Sequence, residues 1–391
     1  MKRRSFLGTV ASAGASGLLA QQPAGAGKPS LVQTPLVLMA PTEHGLEAAW
    51  GVSRLSRGFL EWETEAGTAG VAGMDAFGLS PQGDRVLRVR LDGLPSGTRG
   101  RIRARTTAAD GESVLSDWKR FRTLDSGASS TRFVMWNDTH VNQETLRQLH
   151  AVTPAADFLI WNGDTCNDWV QEDLLIPTLL HPGGCDITQG RPLFLTWGNH
   201  DVRGAHAFRM SSVVATPGGR PFYAFRSGPV AVICLHTGED KPDDHPSFQG
   251  RVAFDALRAE QTRWLTEVIR RPELRDAPYR LAFCHIPLRW LDESRQDYAT
   301  GGFDRHSGRS RAAWHDALVS WKAQAILSGH THQPAWLPPN GDFPYGQIVG
   351  GGPQPARATW TEGVADATQL RLKMSRLNGE VVHEVLLKPL S

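Results

Sequence analysis

Five short apolar runs in this chain each end in side chains that can bind a metal. Phe133-Val134-Met135-Trp136 leads into Asn137-Asp138-Thr139-His140, and Phe158-Leu159-Ile160-Trp161 leads into Asn162-Gly163-Asp164. Leu193-Phe194-Leu195-Thr196-Trp197 runs into Gly198-Asn199-His200-Asp201. Leu281-Ala282-Phe283-Cys284 stops at His285, and Ala325-Ile326-Leu327-Ser328 at Gly329-His330-Thr331-His332. Any one of these is compatible with a turn that holds a capping Asn and a surface His. Their recurrence argues instead that the runs deliver their ends to one place. A mixture of carboxylate, imidazole and amide oxygen suits first-row ions, with iron, manganese or zinc expected. An ion held by such donors activates a bound water for hydrolysis.

An apolar run that breaks at a glycine reads as a buried strand. From about residue 131 such strands alternate with helical stretches, Glu144 to His150 and Phe254 to Ile269. In the second, Leu257, Trp264, Leu265 and Val268 are expected to share one apolar stripe. The alternation predicts an α/β domain, and α/β sheets place their sites just past strand ends. Gly198 and Gly329 would let the backbone approach such a site closely. Trp136, Trp161 and Trp197 each shortly precede a candidate ligand, and are expected to wall the site from below rather than stack on a substrate.

Residues 35–125 have a different texture, with short strands and turns and no convincing helix. Leu36 to Met39, Leu46 to Trp50 and Arg85 to Leu91 are strand-like, and their spacing predicts a small β-sandwich. Leu94-Pro95-Ser96-Gly97-Thr98, Arg103-Ala104, Gly111 and Phe121-Arg122-Thr123 resemble the second half of a fibronectin type III domain. Gly100 stands where that family usually has its corner tyrosine. Asp125 to Ser130 is a flexible junction by composition. At the far end, Asn378-Gly379 between two alternating runs predicts a hairpin.

Taken in order, Asp138-x-His140, Gly163-Asp164, Gly198-Asn199-His200-Asp201, His285 and Gly329-His330-x-His332 resemble the motif set of calcineurin-like metallophosphoesterases. The resemblance covers residues from about 131 to the end. It implies that family's α/β (α+β) fold, two packed mixed β-sheets flanked by helices, here preceded by the small all-β sandwich. It implies that Asp138, His140 and His332 bind one ion, that Asn199, His285 and His330 bind a second, and that Asp164 bridges them. The implied mechanism is direct attack on phosphorus by a metal-bridging hydroxide. His200 would give a proton to the leaving oxygen, and Asp201 would orient His200. Arg203 has two readings, a contact to substrate phosphate or a salt bridge. His236, ending the run Val230 to Leu235, either lines the site or is a packed histidine, as is His206. The chain is also similar to purple acid phosphatases, except that their tyrosine ligand, three residues after the bridging Asp, is Asn167 here. This argues against an iron(III)–tyrosinate centre and favours the Asp-x-His subgroup, which includes bacterial cyclic-nucleotide phosphodiesterases. Asn167 then becomes a candidate for a supporting or substrate-side role.

A hydrophobic share of 40% and a charged share of 21% are those of an ordinary globular protein. Lys2-Arg3-Arg4, the mildly apolar Phe6 to Ala20 and the small residues Ala24-Gly25-Ala26 read as a signal peptide over residues 1–26. Arg3-Arg4-Ser5-Phe6-Leu7 resembles a twin-arginine export signal, which predicts a periplasmic or secreted protein. The expected domains are therefore 1–26, 35–125 and 131–391. Loss of residues 1–26 removes three cations (Lys2, Arg3, Arg4) and no acid, so the net charge of +2 becomes −1. Nucleic acid is not an expected partner, and no other segment is long and apolar enough to span a membrane. Cys234 and Cys284 read as packed thiols, while Cys166 and Cys185 flank loops and either pair or stay free.

The expected partner is a small phosphate ester, with monoesters favoured over diesters of cyclic-nucleotide or glycerophosphodiester type. Selectivity is expected in the loops Gly238 to Gly250 and Trp290 to Ser310. A non-catalytic surface-binding protein is the competing class, and the complete ligand set argues against it.

Overall fold

The computed structural model describes residues 29–75, 77–291 and 304–391. The expected signal peptide lies outside these residues, as does most of the loop expected at Trp290 to Ser310. Phe158–Asn162 and Leu193–Thr196 are buried at every position, as strands covered on both faces must be. They lie parallel to each other and to Thr131–Trp136, with Trp136 opposite Trp161 and Trp161 opposite Leu195. This register brings the three strand ends, and hence Asp138, Asp164 and Asn199, to one edge. A second sheet does the same for the other ligands. Val230–Leu235, Tyr279–Cys284 and Ala325–Ser328 run parallel, with Leu235 opposite Cys284 and Phe283 opposite Leu327. His285 and His330 follow directly from two of those ends.

The two sheets pack face to face. Phe133, Phe158, Ile160 and Phe194 from the first meet Phe225, Val232, Leu281 and Phe283 from the second in one buried cluster. Phe133 and Phe158 stack at 5.5 Å, and Phe283 meets Phe133 edge-on at 5.8 Å. Outside the first sheet lies the helix Gln143–Val152, capped by Asn142, whose side chain accepts from the Thr145 amide. Outside the second lie the helices Phe254–Val268 and Asp304–Ser320. Trp314 and Leu318 of the latter join the buried cluster beneath them. This is the expected metallophosphoesterase architecture, two mixed sheets flanked by helices. The helix Asp304–Ser320 falls partly where a loop was expected.

In the helix Phe254–Val268, Leu265, Val268 and the partly buried Trp264 pack inward as expected, and Leu257 does not. The helix's buried face is Arg258, Gln261, Leu265 and Val268, and Leu257 is turned away from it. Hydrogen bonds make the polar members tolerable there. Gln261 holds both backbone groups of His236 at 2.8 Å, and Arg258 reaches the Thr237 carbonyl at 3.3 Å.

The N-terminal region is all strand. Leu38, Trp50, Leu60, Leu87, Ile102 and Phe121 form its core, with the Trp50 indole donating to Thr106 at 2.9 Å. Gly100 has a packing reason, since a Cβ there would lie 2.7 Å from the Phe121 ring and 2.3 Å from the Glu63 carbonyl oxygen. Its first strand, Val37–Thr42, pairs with Gly45–Gly51 on one side and with Leu193–Thr196 on the other, Met39 opposite Leu193. The first sheet is thereby extended to nine strands among the described residues. Lys119 adds a second tie. Its ammonium donates to Asp186, to Thr188 and to the Leu36 carbonyl at 2.5–2.7 Å. All four cysteines are unpaired.

Candidate active site

The loops after the five strands hold their backbones in an unusual conformation. Among the described residues nine non-glycine positions have positive φ, and Asp138, His140, Asp164, His330 and His332 are five of them, at 44° to 72°. Each such residue costs about 1–3 kcal/mol and persists only where its surroundings over-determine it. Here a lattice of hydrogen bonds does so. The Asp138 amide donates to the Gly163 carbonyl at 3.1 Å and the His140 amide to the Asp164 carbonyl at 3.0 Å. The His200 amide donates to Asp164 Oδ1 at 2.9 Å, and the His330 amide to Asp138 Oδ2 at 2.9 Å. Glycines supply the remaining room. A Cβ at Gly163 would lie 2.4 Å from His285 Nδ1, and one at Gly329 would lie 2.3 Å from Asp138 Oδ2.

The side chains so placed converge. Asp138, His140 and His332 bring ligand atoms within 4.8 Å of one another, and so do Asp164, His285 and His330. His140 Nε2 is 3.4 Å from Asp164 Oδ2, and His285 Nε2 is 3.1 Å from the same oxygen. Asp164 therefore lies between the two groups. Asn199 sits with the second group, its Oδ1 2.8 Å from His330 Nδ1. His285 donates from Nδ1 to the Asn162 carbonyl at 2.9 Å, which points Nε2 at the carboxylates. Nε2 is buried and has no hydrogen-bond partner, because its approach to Asp164 is off line. His140 is held in the same manner, Nδ1 lying 3.1 Å from Asn167 Oδ1 and Nε2 turned inward.

The electrostatics call for positive charge at this point. Burial would push the Asp138 and Asp164 carboxyls up, yet the facing His285 carries both below the ordinary range. Burial would push the His285 imidazole down, but Asp164 and Asp138 outweigh it and raise it to about 10. Desolvation, with His285 beside it, pushes the half-buried His330 down to about 4. Two buried carboxylates thus face a ring of imidazole nitrogens, and once His285 gives up its proton they form a donor set for hard or borderline cations.

Residues 131–334 match the family model described as Calcineurin-like phosphoesterase. The chain belongs to that family. It is accordingly a phosphoric ester hydrolase, with His and Asp clusters suited to metal binding. Its fold is similar to that of purple acid phosphatase PPD1 from yellow lupin (Lupinus luteus) seeds, with a TM-score of 0.67 at 14% identity over 90% of this chain and 74% of that one. It is also similar to PhoD, with a TM-score of 0.61 at 12% identity over 93% and 90%. No curated protein matches the sequence.

One expected role in the phosphoesterase is overturned, and at Arg203, His236 and His206 the structure chooses between the two readings left open. Asp201 does not orient His200. Its carboxylate is fully buried and accepts from the amides of Asp164, Thr165 and Gly198 at 2.8–3.0 Å and from the Thr165 hydroxyl at 2.5 Å. Burial, reinforced by Asp164, pushes this carboxyl up to about 6. The His200 ring is instead held by the Asn167 carbonyl and by Asp168 Oδ1, 3.2 Å from its Nδ1. Arg203 forms an internal ion pair with the buried Glu239 and with Asp240, and its Nη1 lies 3.2 Å from His200 Nε2. His236 is a packed histidine between Trp197 and Phe254, pushed down to about 3 by burial. His206 serves through its amide, which donates to the Trp169 carbonyl at 3.0 Å. Trp136 and Trp161 are wholly buried, meeting edge-on at 6.5 Å, whereas Trp197 is only partly covered.

Two contributors were missed. Asn137 donates to the Asp138 carboxylate at 2.5 Å and to the Gly351 carbonyl at 2.9 Å, fixing the carboxylate's rotation. Its place between a strand and two candidate ligands was the available signal. Asp168 had none beyond lying four residues after Asp164.

Proposed function

We propose that this phosphoesterase uses two metal ions to hydrolyse small phosphate esters by direct attack of water, with monoesters preferred. The reading rests above all on His285 Nε2, a buried nitrogen without a hydrogen-bond partner, aimed at Asp164 and Asp138 at 3.1 and 3.7 Å. An orphaned buried donor or acceptor is costly, and a cation removes that cost while neutralising both carboxylates. Asp138, His140 and His332 would hold one ion and Asn199, His285 and His330 the other, with Asp164 shared. Ions bound there supply a nucleophilic water at neutral pH and polarise the phosphoryl oxygen.

The chain's own residues do the rest. Asn137 and Asn167 fix the orientation of Asp138 and His140, so the donors are set before metal and substrate arrive. His200 has Nδ1 committed to the Asn167 carbonyl and Asp168 and accepts at Nε2 from Arg203 at 3.2 Å; with a proton taken up at Nε2 it would donate to the leaving oxygen. Arg203, locked by Glu239 and Asp240, keeps a positive charge beside the same spot. Export by the twin-arginine route, suggested by Arg3-Arg4 in residues 1–26, would place this activity in the periplasm or outside the cell.

The experiment measures metal content and turnover together, with nitrophenyl phosphate and its bis-ester as substrates. Two ions per chain and faster monoester turnover are expected. One ion per chain at full activity would refute the dinuclear reading, and faster bis-ester turnover would refute the monoester preference.

A further inference from the structure

Beside His200 opens a cavity of about 650 Å³ that the roles above do not use. That volume lies within the roughly 300–1,000 Å³ typical of pockets for organic ligands. Two of its lining residues touch the His200 ring. Asp168 Oδ1 is 3.2 Å from Nδ1, and Arg203 Nη1 is 3.2 Å from Nε2. With His200 as the proton donor to the leaving oxygen, the alcohol side of an ester would face this cavity.

The remaining wall is largely apolar. Trp197, Phe208, Phe248, Phe254 and Leu257 contribute to it. Neither Leu257 nor Phe208 belongs to a buried core cluster. Leu257 leaves the apolar stripe of its helix, whose buried face is taken by Arg258 and Gln261. Phe208 is 69% exposed at the rim, with the Arg209 guanidinium 5.1 Å from its ring, and it extends the apolar wall of the cavity outward. The charged groups on the same wall are already satisfied. Arg203 and Lys241 are paired with Glu239 and Asp240 behind the wall, Arg251 donates to the Phe248 and Ser247 carbonyls, and Asp168 lies against His200. A sugar or another polyhydroxylated alcohol would find few partners there, whereas an aryl or alkyl group would displace water from apolar surface.

We propose that the cavity binds the alcohol portion of the ester and that the preferred substrates are phosphate esters of bulky apolar alcohols. This deepens the reading above, since it takes the His and Asp cluster as the phosphoryl site. The alcohol side then carries most of the discrimination between substrates, and Leu257 and Phe208 are specificity residues.

The test uses n-alkyl phosphates from ethyl to octyl, whose leaving oxygens are chemically alike, so that only apolar length varies. At roughly twofold per added methylene, half of what full burial gives, octyl should exceed ethyl about 60-fold in kcat/KM. Ala205→Trp, at an exposed position on the cavity wall, should bring the octyl-to-ethyl ratio close to one by filling the space. Phe208→Ala should lower the same ratio severalfold. Calorimetric binding of the non-hydrolysable ethyl and octyl phosphonates to metal-loaded protein provides a second readout. Turnover with no dependence on chain length, in rate and in binding, overturns the cavity assignment and leaves the phosphoesterase reading standing. Length-dependent phosphonate binding, abolished by Ala205→Trp but without turnover of any ester, upholds the cavity and overturns the hydrolytic reading.

Discussion

Gly198→Ala tests how tightly the two loops that carry Asp164 and Asn199 are fastened together. A Cβ at position 198 would lie 2.2 Å from Asp164 Oδ1 and 2.3 Å from the Asp164 amide nitrogen, where ordinary contact begins at 3.4 Å. The loops must part by about 1 Å to accept it. They cannot do so freely, because Asp201 Oδ2 accepts from both the Gly198 and Asp164 amides at 2.8 Å, so one carboxylate oxygen clamps the seam. Overpacking of this kind costs about 1–3 kcal/mol. A displacement of about 1 Å at reacting groups costs on the order of 10² in rate. The variant should therefore fold with a lowered Tm, retain less metal and lose about 100-fold in kcat/KM. Gly308→Ala is the control. It lies in the helix Asp304–Ser320 with nothing within 4 Å of its added Cβ, and should gain about 0.5–1 kcal/mol of stability. A Gly198→Ala protein with full metal content and wild-type kcat/KM would show that the seam is not the rigid element described above.

Asp164→Ala should lose more metal and more activity than alanine at any single terminal ligand, because it faces both groups of donors; metal analysis of the set decides, and a variant with two ions and normal turnover would remove Asp164 from the bridging position. His200→Ala should spare the metals and slow alkyl phosphates by about 10²–10⁴-fold, with a smaller loss for nitrophenyl phosphate, whose leaving oxygen is already stable as an anion. Asp168→Asn should reproduce a weaker form of that pattern and Asp201→Asn should not; equal losses on both leaving groups would refute the proton-donor role. Lys119 gives a pH signature. Burial outweighs the attraction of Asp186 and holds its ammonium at about 8, below the ordinary 10.5, so between these values the unfolded chain binds the proton more tightly than the folded one. Stability relative to Lys119→Met should thus rise with pH from about 8 to 10.5, by about 3 kcal/mol; denaturant titrations showing a flat or falling difference would contradict this.

The ends of buried strands proved the most legible part of the chain. An all-apolar run that stops at Asp-x-His or Gly-Asn-His leaves few ways to hide its polar end, so the convergence of Asp138, Asp164 and His285 was readable before any coordinates. The hairpin at Asn378-Gly379 was equally open, and Gly379 has φ 90° as that turn demands. Partners of buried polar groups were not legible. Asp201 looked like a neighbour of His200 because it follows it in sequence, but its carboxylate turns back to amides 36 and 37 residues away. Leu257 looked like core because hydrophobicity is the usual marker of a buried face. Arg258 and Gln261 took that face through hydrogen bonds that no periodicity records. The left-handed backbone at Asp138 and His330 was likewise invisible, since neither residue type requires it.

The pairing of Met39 with Leu193 has a consequence for how the molecule can be made and cut. The N-terminal strands leave the ribosome early, yet the Leu38 amide finds its acceptor, Thr188, only 150 residues later. Such distant closure is slow, and until it happens the strand Val37–Thr42 waits with one row of amides bare. The converse holds for a chain begun at residue 131. It would keep every candidate ligand and still expose the flank of Leu193–Thr196, an apolar strand edge of the kind that recruits copies of itself into aggregates. The minimal unit for recombinant expression therefore begins before Leu31, well upstream of the first catalytic motif.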